Sequence, residues 1–154
     1  MQTRLPTRRS DRQFAALAEP PAAGESLKPR PRSDLRILLV EDSEIARSTL
    51  RQLLELDGYH VDTASDGPTG IEMMECHQPD VALVDIGLPG LDGYQVACRI
   101  RSNRKHGDVY LVALTGFARA EDRQQAAEAG FDAHLAKPLD FDALEQLLSR
   151  RLQK

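Results

Sequence analysis

Val81-Ala82-Leu83-Val84-Asp85-Ile86-Gly87-Leu88-Pro89-Gly90 is the stretch on which the fold turns. Four apolar residues in a row read as a strand buried on both faces. The Gly and Pro that follow read as a tight loop. Asp85 therefore puts a carboxylate where a buried strand ends. Three other apolar runs end in polar chemistry. Ile37-Leu38-Leu39-Val40 runs into Glu41-Asp42, Val109-Tyr110-Leu111-Val112-Ala113-Leu114 into Thr115-Gly116, and Ala133-His134-Leu135-Ala136 into Lys137-Pro138. In an open parallel α/β sheet, the carboxyl ends of the strands are where ligands bind.

Between these runs the period changes from strand to helix. Strands are expected at Arg36–Val40, His60–Ala64, Val81–Val84, Val109–Leu114 and Ala133–Ala136. Ser43 can cap a first helix running to Leu56, with Ala46, Leu50, Leu53 and Leu54 on one face and Gly58 as a left-handed stop. Further helices are expected at about Thr69–His77, Tyr94–Ser102, Glu121–Ala129 and Phe141–Leu152, the last burying Phe141, Leu144, Leu147 and Leu148. Five such βα units imply a parallel sheet covered on both faces. Right-handed crossovers leave few topologies. The expectation is a flavodoxin-like doubly wound fold with strand order 2-1-3-4-5, which sets Glu41 and Asp42 beside Asp85.

One domain and a tail suit 154 residues. Residues 1–34 hold five of the nine prolines, and seven Lys/Arg against four Asp/Glu. Little of this segment can be buried to offset its ordering entropy, so 1–34 is expected to be a disordered Pro/Arg-rich tail with a short helix at about Asp11–Ala18. Residues 35–154 are the folded domain. They carry 13 basic against 20 acidic side chains, which argues against nonspecific nucleic-acid binding. Cys76 and Cys98 form no CxxC pair and read as free thiols of a reducing compartment. No apolar run approaches the roughly 18 residues of a membrane span. Phe14–Ala18 is too short for a signal-peptide core, so a cytoplasmic location is expected.

Glu41, Asp42 and Asp85 cannot all stay ionised at close range unless a cation joins them. All-oxygen ligation points to Mg²⁺. A cation and a hydroxyl facing such a site, Lys137 and Thr115, make a receptor for phosphoryl oxygens, with Asp85 as the nucleophile. Each fragment alone has a plainer reading. Glu41-Asp42 suits a helix dipole, Asp85 a turn, Thr115-Gly116 a loop and Lys137 the surface. Asp92 reads as a helix cap rather than a ligand, and Met73 and Met74 as packing. His60, His77 and His106 are expected to face solvent and lack ligand spacing.

Residues 35–154 resemble the receiver domain of two-component response regulators. The resemblance rests on Leu39-Val40-Glu41-Asp42, Val84-Asp85-Ile86-Gly87-Leu88-Pro89-Gly90-Leu91-Asp92-Gly93, Ala113-Leu114-Thr115-Gly116 and Lys137-Pro138. It implies that Asp85 is the phosphoacceptor, with Glu41, Asp42, Asp85 and the Gly87 carbonyl around Mg²⁺. Thr115 would be the switch hydroxyl and Lys137 the phosphate-binding cation, before a cis proline. The chain departs from the family pattern at His134, where an aromatic switch residue is usual. His134 is expected to take that packing role and to make signalling pH-sensitive. Gly87 and Phe117 lack side chains that orient hydrolytic water, so slow self-hydrolysis is expected.

The resemblance further implies a phosphoryl donor that is a sensor histidine kinase or a histidine phosphotransfer protein. With nothing following Lys154, output is expected through a partner protein, by a surface of the fourth helix, fifth strand and fifth helix, or by relay. The expected chain neither binds DNA or membrane nor acts as an enzyme, and it can pair as a homodimer. The alternatives are a phosphorylation-independent scaffold and an Asp-nucleophile phosphatase. The phosphatase usually needs a second Asp where Gly87 stands.

Overall fold

The computed structural model of the protein describes residues 31–116 and 119–153. The helix expected near Asp11–Ala18 and Phe117 lie outside these residues, as does most of the expected tail. Of that tail, Arg32–Asp34 form a single 3-10 turn leading into the first strand.

Five parallel strands form one sheet in the order β2-β1-β3-β4-β5. They are β1 (Arg36–Val40), β2 (His60–Ala64), β3 (Val81–Asp85), β4 (Tyr110–Thr115) and β5 (Ala133–Ala136). Between and after them run α1 (Glu44–Leu56), α2 (Gly67–His77), α3 (Gly93–Ser102), α4 (Ala120–Ala129) and α5 (Phe141–Leu152). This is the flavodoxin-like doubly wound order expected from the sequence. Side chains alternate across each strand, so the sheet splits the core in two. Ile37, Leu39, Leu83 and Leu114 meet Leu50 and Leu54 of α1 and Leu144 and Leu148 of α5. Leu38, Val40, Val84 and Ala113 meet Met74 of α2, Val96 and Ile100 of α3, and Ala126 of α4. Each large side chain so buried contributes roughly 1.5–3 kcal/mol. Among the described residues, no helix is long and apolar enough to cross a membrane.

Differences from the expected boundaries have local causes. α2 starts at Gly67 rather than Thr69, because Asp66 caps it by accepting the Thr69 N–H at 2.8 Å. α3 starts at Gly93 because Asp92 and Gln95 form a reciprocal capping box. β3 gains Asp85 and β4 gains Thr115 through pairing: Asp85 lies opposite Leu114, and Thr115 opposite Ala136. Ala46 and Leu53 of α1 are exposed, against expectation. The buried stripe is Leu50 and Leu54, and the other two flank it. His106, expected in solvent, is buried at the end of a second 3-10 turn, where its Nε2 lies 3.2 Å from Glu75 Oε1. Asn103 Nδ2 donates to the same oxygen at 2.8 Å, so the turn closes over the ring. Cys76 and Cys98 are free and exposed.

Where the described chain begins, Arg32 joins α1 to α5. Its guanidinium reaches Asp57 at 3.4 Å and Glu145 at 3.3 Å and lies over the Tyr59 ring. Tyr59 Oη donates to Glu145 Oε1 at 2.9 Å, while Oε2 is buried without a hydrogen-bond partner. Burial, aided by the nearby Asp57 carboxylate, raises the Glu145 pKa above its ordinary 4.5. The folded state thus holds this proton to a higher pH than the unfolded chain. The stabilisation is full below the ordinary value and is lost as pH rises through the raised one. Glu145→Gln should therefore flatten the fall in urea-unfolding free energy as pH rises from 4.5 toward neutrality. An unchanged slope would contradict this reading.

Candidate functional site

The chain leaves β1 toward β2 on one side and returns to β3 on the other. A crevice therefore opens at the carboxyl ends of β1 and β3, the switch point of the sheet. Glu41 follows β1 directly and is 4% exposed, and Asp85 ends β3 at 6%. Asp42 is exposed beside them. One carboxylate oxygen from each of Glu41, Asp42 and Asp85 lies within 4.8 Å of the others. Three hard oxygen donors at that spacing fit a Mg²⁺-type ion.

Lys137 follows β5 and turns back over the crevice. Its Nζ donates to Glu41 Oε1 and Asp85 Oδ1, each at 3.0 Å. The Lys137 N–H donates to the Thr115 carbonyl at 2.8 Å, and the Lys137–Pro138 peptide is cis, as expected. Burial raises the Glu41 pKa against the pull of the Ser43 N–H and Lys137. Burial alone would lower the Lys137 pKa. Its hydrogen bonds to Asp85 and Glu41 outweigh that effect, so it is raised above 10.5 and the side chain remains an ammonium.

The surrounding backbone orients the acids. The Gly87 N–H donates to Asp85 Oδ1 at 3.1 Å and the Ser43 N–H to Glu41 Oε2 at 3.1 Å. Thr115 is buried at the end of β4. His134 lies in register with Ala113, two positions short of Ala136, which lies opposite Thr115. It is half-buried and stands apart from the carboxylate cluster. Sequence reasoning did not find Arg47, whose Nη1 donates to the carbonyls of Glu41 at 2.9 Å and Asp42 at 3.4 Å, tying the acidic loop to α1. No motif signals a contact set by a rotamer. An apolar groove of about 620 Å³ opens beside the pocket, rimmed by Glu41 and Lys137 and walled by Ile45, Leu53, Pro138 and Phe141.

A buried carboxylate that keeps one hydrogen-bonded oxygen, beside a retained ammonium and a hard-cation cluster, can attack an electrophile bearing several anionic oxygens. Known proteins share this sequence pattern and fold. Residues 37–149 match the family described as response regulator receiver domain. Response regulator MprA of Mycobacterium leprae is 37% identical over 116 residues, covering 75% of this chain and 49% of the relative. Sensor histidine kinase RcsC of Salmonella typhi is 36% identical over 116 residues, 75% of this chain and 12% of the kinase. The chain thus spans about half the length of MprA. Among solved structures, the receiver domain of sensor histidine kinase PA1611 from Pseudomonas aeruginosa, described with a magnesium ion in its active-site cleft, has a TM-score of 0.72 and 33% identity. The match covers 78% of this chain and 98% of that one. Vibrio cholerae chemotaxis protein CheY4 has a TM-score of 0.72 and 26% identity over 77% of this chain and 98% of its own.

Proposed function

The chain belongs to the response regulator receiver domain family, and from that premise we propose that it takes a phosphoryl group from a histidine-phosphorylated protein onto Asp85. The observation that carries this is Lys137 Nζ, held 3.0 Å from both Asp85 and Glu41. A purely structural lysine has no need of two carboxylates at a cation-ready cluster. Asp85 attacks phosphorus with a carboxylate oxygen, the P–N bond of the donor breaks, and its imidazole leaves with the electron pair. Lys137 neutralises the transferred oxygens, and the Thr115 hydroxyl accompanies them. Glu41, Asp42, Asp85 and the Gly87 carbonyl would hold Mg²⁺, which would supply charge neutralisation at the phosphoryl group. The product is an acyl phosphate.

The groove beside the pocket supports a protein donor over a small one. Ile45 is 79% exposed and Leu53 43%, so apolar surface lies next to Lys137 and Glu41. A sensor histidine kinase or histidine phosphotransfer protein can lie there while presenting its phosphohistidine. Thr115 and His134 are proposed to relay occupancy to α4, β5 and α5, the surface for the downstream partner or for a homodimer. Domain limits follow the sequence reading, with 35–154 as the receiver unit and a cytoplasmic setting.

The test is incubation with a small acyl-phosphate donor and intact-mass measurement. One phosphoryl adduct is expected with Mg²⁺ and none with excess chelator. Labelled protein should lose the group slowly, and loss within seconds would contradict the sequence reading of Gly87 and Phe117.

A further inference from the structure

Of the three acids in the pocket, Asp42 is the one whose side chain lacks support. Glu41 is held twice: its N–H donates to the Ala64 carbonyl of β2 at 3.0 Å, and its Oε2 accepts the Ser43 N–H at 3.1 Å. Asp85 Oδ1 accepts from Lys137 and from the Gly87 N–H. Asp42 is exposed, and among the described residues no donor holds its carboxylate. Yet one of its oxygens lies within 4.8 Å of those of Glu41 and Asp85. A side chain without a partner takes its direction from the backbone that carries it.

Arg47 controls that backbone. It is half-buried on α1, where its own N–H donates to the Ser43 carbonyl at 2.8 Å. Its Nη1 donates to the Glu41 carbonyl at 2.9 Å and to the Asp42 carbonyl at 3.4 Å. The first is an ordinary hydrogen bond and the second a long one, both strengthened by the charge of the donor. These carbonyls belong to the two planar peptide units that flank the Asp42 Cα. Holding both units fixes φ and ψ at Asp42, and with them the direction of its Cβ.

We propose that Arg47 is a positioning residue for the cation site: by orienting the two peptide units around Asp42, it aims that carboxylate at the ion shared with Glu41 and Asp85. The inference rests on the Mg²⁺ reading of the cluster. Charge alone works in the opposite direction. A guanidinium near the site repels a cation, so its removal without loss of positioning would tighten Mg²⁺ binding. Weaker binding after its removal therefore reports lost aim.

The test titrates Mg²⁺ into the full chain by calorimetry. Arg47→Met keeps the apolar stem and the helix propensity while removing the guanidinium. Its Mg²⁺ dissociation constant should rise about ten-fold, as for loss of a partner behind a metal ligand. Arg47→Gln should behave alike. Arg51→Met, which breaks the 3.2 Å contact with Glu55 one turn further along α1, should leave the constant unchanged. In an Asp42→Asn background, Arg47→Met should add little further weakening, because the group it aims is already altered. Urea unfolding checks that each variant is folded. Unchanged or tighter Mg²⁺ binding in the folded Arg47 variants would overturn the proposal, as would full additivity with Asp42→Asn. Wild-type protein that binds no Mg²⁺ would remove the cation site itself, a failure distinct from these.

Discussion

Asp85→Asn remains without a phosphoryl adduct under conditions in which the wild-type chain acquires one from an acyl-phosphate donor and Mg²⁺. The reason is chemical. An amide oxygen lacks the charge to attack phosphorus and cannot form a stable mixed anhydride. The change is otherwise mild, because the Asn oxygen can still accept from Lys137 Nζ and from the Gly87 N–H, which now meet Asp85 Oδ1. One negative charge leaves a crowded cluster, so the variant should melt no lower than wild type. Intact mass and a thermal melt read both halves. An adduct on the variant would move the acceptor elsewhere. A variant that fails to fold would show that Asp85 is structural. Lys137→Ala is not an equivalent probe, since it leaves Glu41 and Asp85 without their shared cation.

The second large effect is on the fold. Gly93→Ala should lower the unfolding free energy by about 2–4 kcal/mol and disturb phosphoryl uptake with it. A Cβ at residue 93 would stand 2.6 Å from both the Asp85 carbonyl oxygen and Ile86 Cα. Backbone atoms cannot rotate aside as a flexible side chain can. Either α3 backs away from β3, or the end of β3 moves and carries the Asp85 carboxylate out of line with Lys137. The Gly93 N–H bond to the Ile86 carbonyl at 3.0 Å is strained in both cases. Gly116→Ala is the control, because a Cβ there meets nothing within 4 Å. Urea midpoints should separate the two clearly. A Gly93→Ala protein within about 0.5 kcal/mol of wild type would show that the α3–β3 contact yields more readily than this packing implies.

The two positions differ in how legible they were. Asp85 is announced by its place after Val81-Ala82-Leu83-Val84, and polar residues after the other apolar runs completed the pattern. Gly93 reads as the residue after a cap. That it lies against the backbone of residues 85 and 86 depends on how closely α3 packs on β3. The first helix shows the same division. Its period placed Leu50 and Leu54 correctly, yet Ala46 and Leu53 face a groove because α5 and Pro138 stand off from them. His106 looked like a solvent histidine, and the 3-10 turn that buries it carries no apolar period to betray it.

The alternation of strands and helices and the set Glu41, Asp42, Asp85, Thr115 and Lys137 came from the chain of residues alone, because apolar runs and the polar residues that end them are local features. Crossover handedness narrowed the strand order to a few, and the packed sheet fixed it as 2-1-3-4-5. Tertiary structure alone decided that Lys137 bridges Glu41 and Asp85 and that Arg47 ties down the acidic loop. Each joins separate elements through rotamers and loop paths, and these are set only when the packed helices and sheet restrict each side chain to one position.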